Sequence, residues 1–111
     1  GKIYLQKWLK FKGDELVDEL RTKQGRETVF LCKHFVRSYP KILSKARQQK
    51  GRTTRYKRRQ KKDSQINTSK SLKELFPLMR VADNSRYPLF FNINKSRYML
   101  QINKITKEDT K

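Results

Sequence analysis

A long run of positive charge limits how tightly this chain can fold. Between Lys41 and Lys62 there are eleven Lys or Arg residues and no Asp or Glu. Like charges this close repel one another, so the run opposes compaction unless a polyanion neutralises it. A nucleic-acid backbone is such a polyanion, and neutralising its phosphates releases counterions and so drives binding. The run therefore predicts a nucleic-acid contact, although a disordered tail or a nuclear-import signal has a similar composition.

The whole chain is also strongly basic. It has 111 residues, a net charge of +19 and only 34% hydrophobic residues. A charge of this size is typical of nucleic-acid-binding domains. Because apolar sequence flanks the basic run on both sides, we predict one domain over residues 1–111, with a modest core and a long solvated segment. The chain begins Gly1-Lys2 without methionine, so we expect either an excised domain or a processed mature protein.

The residues before the basic run favour helices. Strand and helix both fit the apolar positions of residues 3–11. After them, Asp14 is placed to cap a short helix whose first turn is acidic, and Gly25 is placed to end it. A second helix is predicted over residues 27–39 from apolar positions three and four apart, although Thr28-Val-Phe-Leu-Cys32 could also form a strand.

A sharp turn and a polar helix are expected next. Tyr39-Pro40 forces a break, because a residue before proline avoids helical angles. Proline is favoured in a first turn, so a third helix is predicted from Pro40 to about residue 50. Two helices joined in this way resemble a helix-turn-helix, whose second helix enters the major groove. Arg47, Gln48 and Gln49 have the chemistry to read bases there, although an ordinary helical hairpin with a solvated face also fits.

Residues 51–70 are polar and predict a long basic loop. Few apolar atoms are present to offset the entropy of ordering it, so we expect mobility in the free protein and order on the target. A loop of this length inside a small domain is usually functional. Tyr56 is expected either to stack on a base or sugar or to pin the loop to the core.

The remaining sequence predicts a capped helix and a hairpin. Ser71-Leu-Lys-Glu74 matches a capping box, and Pro77 is expected to end or bend the short helix that follows. Asp83-Asn-Ser is a turn signal. Aromatic and branched residues on both sides of Asn94-Lys95 predict a β-hairpin, with Lys95 and Arg97 at its tip. The tail 106–111 is expected to be frayed.

The fold class predicted from these elements is α+β. We expect a small, mainly helical domain of three to four helices with a C-terminal β-hairpin. This order of elements resembles the layout of winged-helix DNA-binding domains, and no motif identifies a family. The core is predicted to contain Trp8, Leu16, Leu20, Phe35, Leu75, Phe91 and Leu100.

The chain lacks the residues that several activities need. His34 and Cys32 are the only histidine and cysteine, so a structural zinc site has too few ligands. The glycines form no phosphate-binding loop. No stretch approaches the ~20 apolar residues of a membrane span. We therefore predict no enzyme, no cofactor, no metal, no membrane partner and no small-molecule substrate.

Three hypotheses for function follow. The favoured one is a DNA-binding domain of a nuclear transcription or chromosome-maintenance factor, with duplex DNA preferred over RNA. The alternative is an RNA-binding structural component of the ribosome or another ribonucleoprotein, and a module for acidic proteins or membrane surfaces is the weakest. The predicted nucleic-acid-binding residues are Lys41, Lys45, Arg47, Gln48, Gln49, Lys50, Arg52, Arg55, Tyr56, Lys57, Arg58, Arg59, Lys61, Lys62, Lys95 and Arg97.

Overall fold

The computed structural model describes residues 1–105, which form a small α+β fold. The predicted combination of helices with a C-terminal hairpin is confirmed, whereas the three to four helices and the winged-helix layout are not. The predicted frayed tail, residues 106–111, lies outside the described residues. In chain order the elements are helix α1 (Val17–Ser38), a 3-10 helix (Lys41–Lys45), a second 3-10 helix (Lys61–Ser64), helix α2 (Leu72–Arg80) and strands β1 (Leu89–Ile93) and β2 (Ser96–Leu100).

One long helix, α1, replaces the two shorter helices predicted before Pro40. The helix passes through Gly25, which was expected to end it. A glycine inside a helix costs only about 1 kcal/mol relative to alanine, and good helix formers lie on both sides of it. The end of α1 at Ser38 agrees with the break predicted at Tyr39-Pro40.

The start of α1 also differs from the prediction. Asp14 does not cap the helix, because the residue at the N-cap is Leu16. The Leu16 amide instead donates to the carboxylate of Glu19 at 2.8 Å, which satisfies one of the free N–H groups of the first turn. Residues 1–16 form neither of the elements considered for them, apart from a single antiparallel bridge at Ile3.

The α-helix predicted from Pro40 to residue 50 is wrong. Only a 3-10 helix of five residues forms, and Ala46 after it is extended, with ψ at 137°. The cause is a competing backbone pairing. The Arg47 amide donates to the Ile3 carbonyl at 2.9 Å, and the Ile3 amide donates back to Arg47 at 2.8 Å. A helix would need that same Arg47 amide for the carbonyl four residues earlier.

The serine cap predicted before α2 is confirmed, but the Glu74 side chain does not complete the capping box. The Ser71 hydroxyl accepts from the Glu74 amide at 3.2 Å. The helix then continues past Pro77 to Arg80, so the proline does not end it. Leu75 and Met79, which lie on either side of the proline, are both buried, and their packing stabilises the helix across it.

The predicted hairpin is confirmed. Strands β1 and β2 pair antiparallel from Leu89 opposite Leu100 to Ile93 opposite Ser96. The turn residues Asn94 and Lys95 have φ of 52° and 69°. Positive φ at both central positions is the conformation whose twist matches a two-residue hairpin.

The core lies in the C-terminal part of the chain. Buried Ile66, Leu75, Met79, Ala82 and Leu89 form it, and Leu78, Phe91, Leu100 and Ile102 pack against it. Leu75, Phe91 and Leu100 were predicted there. Trp8 was also predicted there, yet it is 85% exposed, because its segment forms no helix with a face to bury. Leu16, Leu20 and Phe35 are half-buried and lie outside this cluster.

Candidate nucleic-acid interface

Most of the positive charge predicted to bind nucleic acid lies on residues 47–62, which we call the basic segment. Residues 48–60 form no helix or strand, and every side chain from Arg47 to Arg58 is exposed. Gly51 has a φ of +103°, a left-handed conformation that favours glycine, and the chain bends there. The segment is therefore an open strip of backbone and cations between two anchored ends.

The first end is held by the N-terminal residues. Arg47 is paired through its backbone with Ile3, and its guanidinium donates to the side-chain oxygen of Gln6. Gln48 and Gln49 follow as exposed residues outside any helix. The three residues predicted to read bases therefore do not lie on a recognition helix, because the helix that was to carry them does not form.

The second end is held by a buried serine. Ser64 is 0% exposed, and its hydroxyl donates to the Tyr87 carbonyl at 2.9 Å. The same oxygen accepts from the Arg59 guanidinium at 3.0 Å. Arg59 is half-buried by this contact. Arg59 was predicted as a phosphate contact, and its bond to Ser64 also fixes where the basic segment meets the hairpin.

The cations of the basic segment have no acidic partner among residues 1–105. The ion pairs found there involve Lys7, Arg21 and Lys104 instead. The positive charge of the basic segment is therefore not neutralised by any carboxylate of the described residues. Repulsion between neighbouring cations favours an extended chain and raises the local affinity for a polyanion.

The other predicted residues are dispersed. Lys41 and Lys45 lie on the first 3-10 helix and border a groove beside Arg37. Tyr56 is 92% exposed, so it does not pin the segment to the core. Lys95 lies in the hairpin turn. The remaining predicted side chains, Lys50, Arg52, Arg55, Lys57, Arg58 and Lys62, are exposed along the basic segment.

Two predicted cations meet in a groove at the far end of the segment. Lys61 and Arg97 border a groove of about 380 Å³, together with Arg86, Tyr87, Pro88, Phe90 and Met99. The Arg97 guanidinium lies over the Phe90 ring, 4.5 Å from its centroid. The Arg97 side chain also donates to Asn92 Oδ1 at 3.3 Å. We call this the hairpin groove.

Sequence reasoning missed most of this groove. Arg86 was not selected, and the strand aromatics were assigned to the core. The signal was present, since Phe91 was expected to face inward and adjacent strand residues face opposite sides. Phe90 therefore had to face outward. What the sequence could not give was the position of Lys61, which reaches the hairpin through the Ser64 contact.

Several of the acidic residues lie around the start of α1. Desolvation would raise the pKa of Glu15, but the amides of Lys12, Gly13, Glu15 and Asp14 oppose it and lower that pKa to about 2. The Lys104 ammonium lowers the pKa of Glu19 through a hydrogen bond of 2.8 Å. These carboxylates keep their charge at neutral pH.

A third carboxylate also binds α1 to the C-terminal part. The amides of Ser85 and Arg86 and the side chain of Arg21 lower the pKa of Asp83. The Arg21–Asp83 ion pair spans 3.0 Å, and the Arg80 guanidinium donates to the Glu15 carbonyl at 2.9 Å. These three carboxylates therefore hold the start of α1 and its contact with the C-terminal part.

The sequence matches no protein-family model, no curated protein and no solved structure. Among residues 1–105, no helix is both long enough and apolar enough to cross a membrane. The case for function therefore depends on the charges and contacts described above.

Proposed function

We propose that this protein binds nucleic acid through its basic segment, which lies along the phosphate backbone. The observation that carries the proposal is the exposed run from Arg47 to Arg58, which forms no helix and has no carboxylate partner among the described residues. Phosphate contacts made in this way give affinity without reading sequence. Arg59 anchors the segment through Ser64, and its remaining N–H groups can still bind a phosphate.

Structured RNA is the target that we favour over duplex DNA. Reading bases in duplex DNA would need a recognition helix from Pro40 to residue 50, and these residues do not form an α-helix. A-form RNA is recognised mostly through its shape and its backbone, which an extended basic chain can follow. The protein is also long and thin, with principal extents of 62 × 40 × 22 Å.

We therefore propose a structural RNA-binding role within a ribonucleoprotein particle, such as the ribosome. A protein of this shape, with a small core and an extended arm, suits a position between RNA helices. In that role the RNA neutralises the positive charge that the described carboxylates leave unpaired, which offsets the entropy of ordering the segment. No catalytic step is part of this proposal.

The test compares binding to an RNA hairpin and to a DNA duplex by fluorescence anisotropy over a range of salt concentrations. For the wild type, log affinity should fall with log salt, by roughly 0.9 per phosphate contacted on B-DNA. The variant Arg55→Gln/Lys57→Gln/Arg58→Gln should bind more weakly and with a shallower slope. We expect the RNA hairpin to be bound more tightly than the DNA duplex.

A matched control removes the same charge elsewhere. Arg26, Lys33 and Lys73 are exposed cations outside the basic segment, and the triple Gln variant should lose much less affinity. Equal losses in the two variants would mean that net charge alone drives binding. Selection from random duplex DNA beside structured RNA tests the polymer, and recovery of a short duplex consensus would favour DNA over our proposal.

A further inference from the structure

The outer face of the hairpin presents an aromatic surface with cations around it. Register and alternation place Phe90 opposite Met99 and Asn92 opposite Arg97 on one face. Leu89, which is 0% exposed, lies on the opposite face and joins the core. Met99 is 63% exposed, so the outer face is not covered by any other part of the described chain.

The hairpin groove has the chemistry of a nucleotide site. Lys61, Arg86 and Arg97 border it, and no carboxylate is among the residues that line it. Phe90 and Tyr87 supply aromatic surface beside these cations. Every base has a π-face that stacks on an aromatic ring or a guanidinium plane, and a phosphate pairs with arginine and lysine.

The groove is also placed where the basic segment would deliver a strand. Lys61 belongs to both, and Ser64 joins the end of the segment to the Tyr87 carbonyl that borders the groove. Arg59 is fixed to that same serine. A polynucleotide that follows the exposed cations toward Lys61 therefore arrives at the outer face of the hairpin.

We infer that the hairpin groove binds one unpaired nucleotide of the RNA, with its base stacked on the Arg97 guanidinium that Phe90 supports and its phosphate beside Lys61 and Arg86. This inference rests on the proposed function and adds to it a preference for single-stranded or bulged RNA. A paired base cannot enter, because both of its faces are occupied within the helix. The basic segment thus binds phosphates along the strand, and the hairpin groove adds a site for an exposed base.

The experiment uses the full chain and three labelled probes in fluorescence anisotropy. The probes are an oligouridine of about 12 nucleotides, an abasic oligonucleotide of the same length, and a paired RNA duplex. The length of about 12 nucleotides falls within the range of known single-strand sites. Phe90→Leu should lower affinity for oligouridine by about tenfold, the loss typical of one stacked base. It should leave affinity for the abasic and duplex probes unchanged.

A second aromatic residue provides the matched control. Phe30 also lies under a cation, with Lys7 Nζ 4.9 Å from its ring centroid, but it belongs to α1 and not to the hairpin groove. Phe30→Leu should change binding to none of the probes. If Phe90→Leu prevents folding, Lys61→Gln/Arg86→Gln replaces it, since both residues are exposed. That variant should weaken oligouridine binding more than duplex binding.

The outcomes separate this inference from the proposed function. Equal effects of a groove variant on oligouridine and duplex, or no effect on either, would overturn the nucleotide site while leaving the basic segment intact. If oligouridine binding were lost neither in the groove variant nor in the Arg55/Lys57/Arg58 variant, the nucleotide site and the proposed function would both be overturned. Tighter binding of a glutamate-rich aromatic peptide than of oligouridine, abolished by Phe90→Leu, would assign the groove to a protein partner.

Discussion

The two parts of this protein are stabilised in different ways. Residues 64–105 contain the core cluster, a capped helix and a paired hairpin, and Leu89 within them is 0% exposed. Residues 1–63 contain a helix of 22 residues in which no residue is buried. Ile42 is the single buried residue of that part, at 3% exposure.

This difference shows what local sequence can and cannot achieve. Helix α1 has strong formers and a proper end, yet most helical stability in proteins comes from packing a face against something else. In the N-terminal part the folded chain offers little to pack against. We therefore expect the C-terminal part to fold by itself around its core, and α1 to depend on a few polar links to it.

The largest effect should follow from emptying the core. Leu89→Ala removes a fully buried side chain, and we expect the free energy of unfolding to fall by about 2–5 kcal/mol. That is a large part of the stability of a small domain. Urea denaturation followed by circular dichroism measures it.

The control for this variant comes from the other part of the chain. Trp8→Ala removes a larger side chain that is 85% exposed, and the change should stay within about 0.5 kcal/mol. If Trp8→Ala destabilised the protein as much as Leu89→Ala, the N-terminal part would have a core of its own. The N-terminal and C-terminal parts would then be stabilised in the same way.

Sequence reasoning succeeded where one local pattern decides the structure. The hairpin was predicted because Asn94-Lys95 supplies positive φ between two alternating runs. The cap of α2 was predicted because Ser71 and Glu74 have the required spacing. Each element depends on residues that lie close together in the chain, so their spacing contains the information.

It failed where a distant residue decides. The helix expected after Pro40 is prevented by the backbone pairing of Arg47 with Ile3, which lies 44 residues earlier in the chain. The exposure of Trp8 could not be read either, because an apolar residue is not required to be buried. The same limit applies to the candidate interface, where charge was predictable but the Ser64 anchor of its far end was not.

A smaller loss of stability should follow from cutting the link between the two parts at Ser64. Ser64→Ala removes the hydroxyl that bonds the Tyr87 carbonyl and the Arg59 guanidinium, and both groups lose a partner. Leaving buried polar groups without a partner costs about 1–3 kcal/mol. Denaturant unfolding measures this cost.

The same substitution at an exposed serine is the control. The Ser69 hydroxyl bonds only to its neighbour Asn67 at 2.6 Å, and Ser69→Ala should change the free energy of unfolding by less than about 0.5 kcal/mol. Hydrogen exchange adds a second reading. In Ser64→Ala, amides near Arg59 should exchange faster, while those of β1 and β2 should change little. Equal acceleration in both places would mean that Ser64 supports the core and not the link.

The smallest effect should be on the stability of the protein at low pH. The pKa of Glu15 is lowered from 4.5 to about 2, mainly because backbone amides hydrogen-bond to its carboxylate against a desolvation that would raise it. The pKa values of Glu19 and Asp83 are lowered as well, by Lys104 and by the Ser85 and Arg86 amides respectively. A carboxyl group with a lowered folded-state pKa stabilises the fold above its unfolded pKa, and this stability is lost as the pH falls.

We therefore expect the melting temperature to fall as the pH drops from about 4.5 toward 2, the interval between the two pKa values of Glu15. Glu15→Gln should make this fall shallower, because the amide does not titrate. Glu74→Gln, the same change on an exposed residue of α2, is the control and should leave the slope as it is. An unchanged slope in Glu15→Gln would show that the turn before α1 is not held by this carboxylate, and that α1 depends on its remaining links to the C-terminal part.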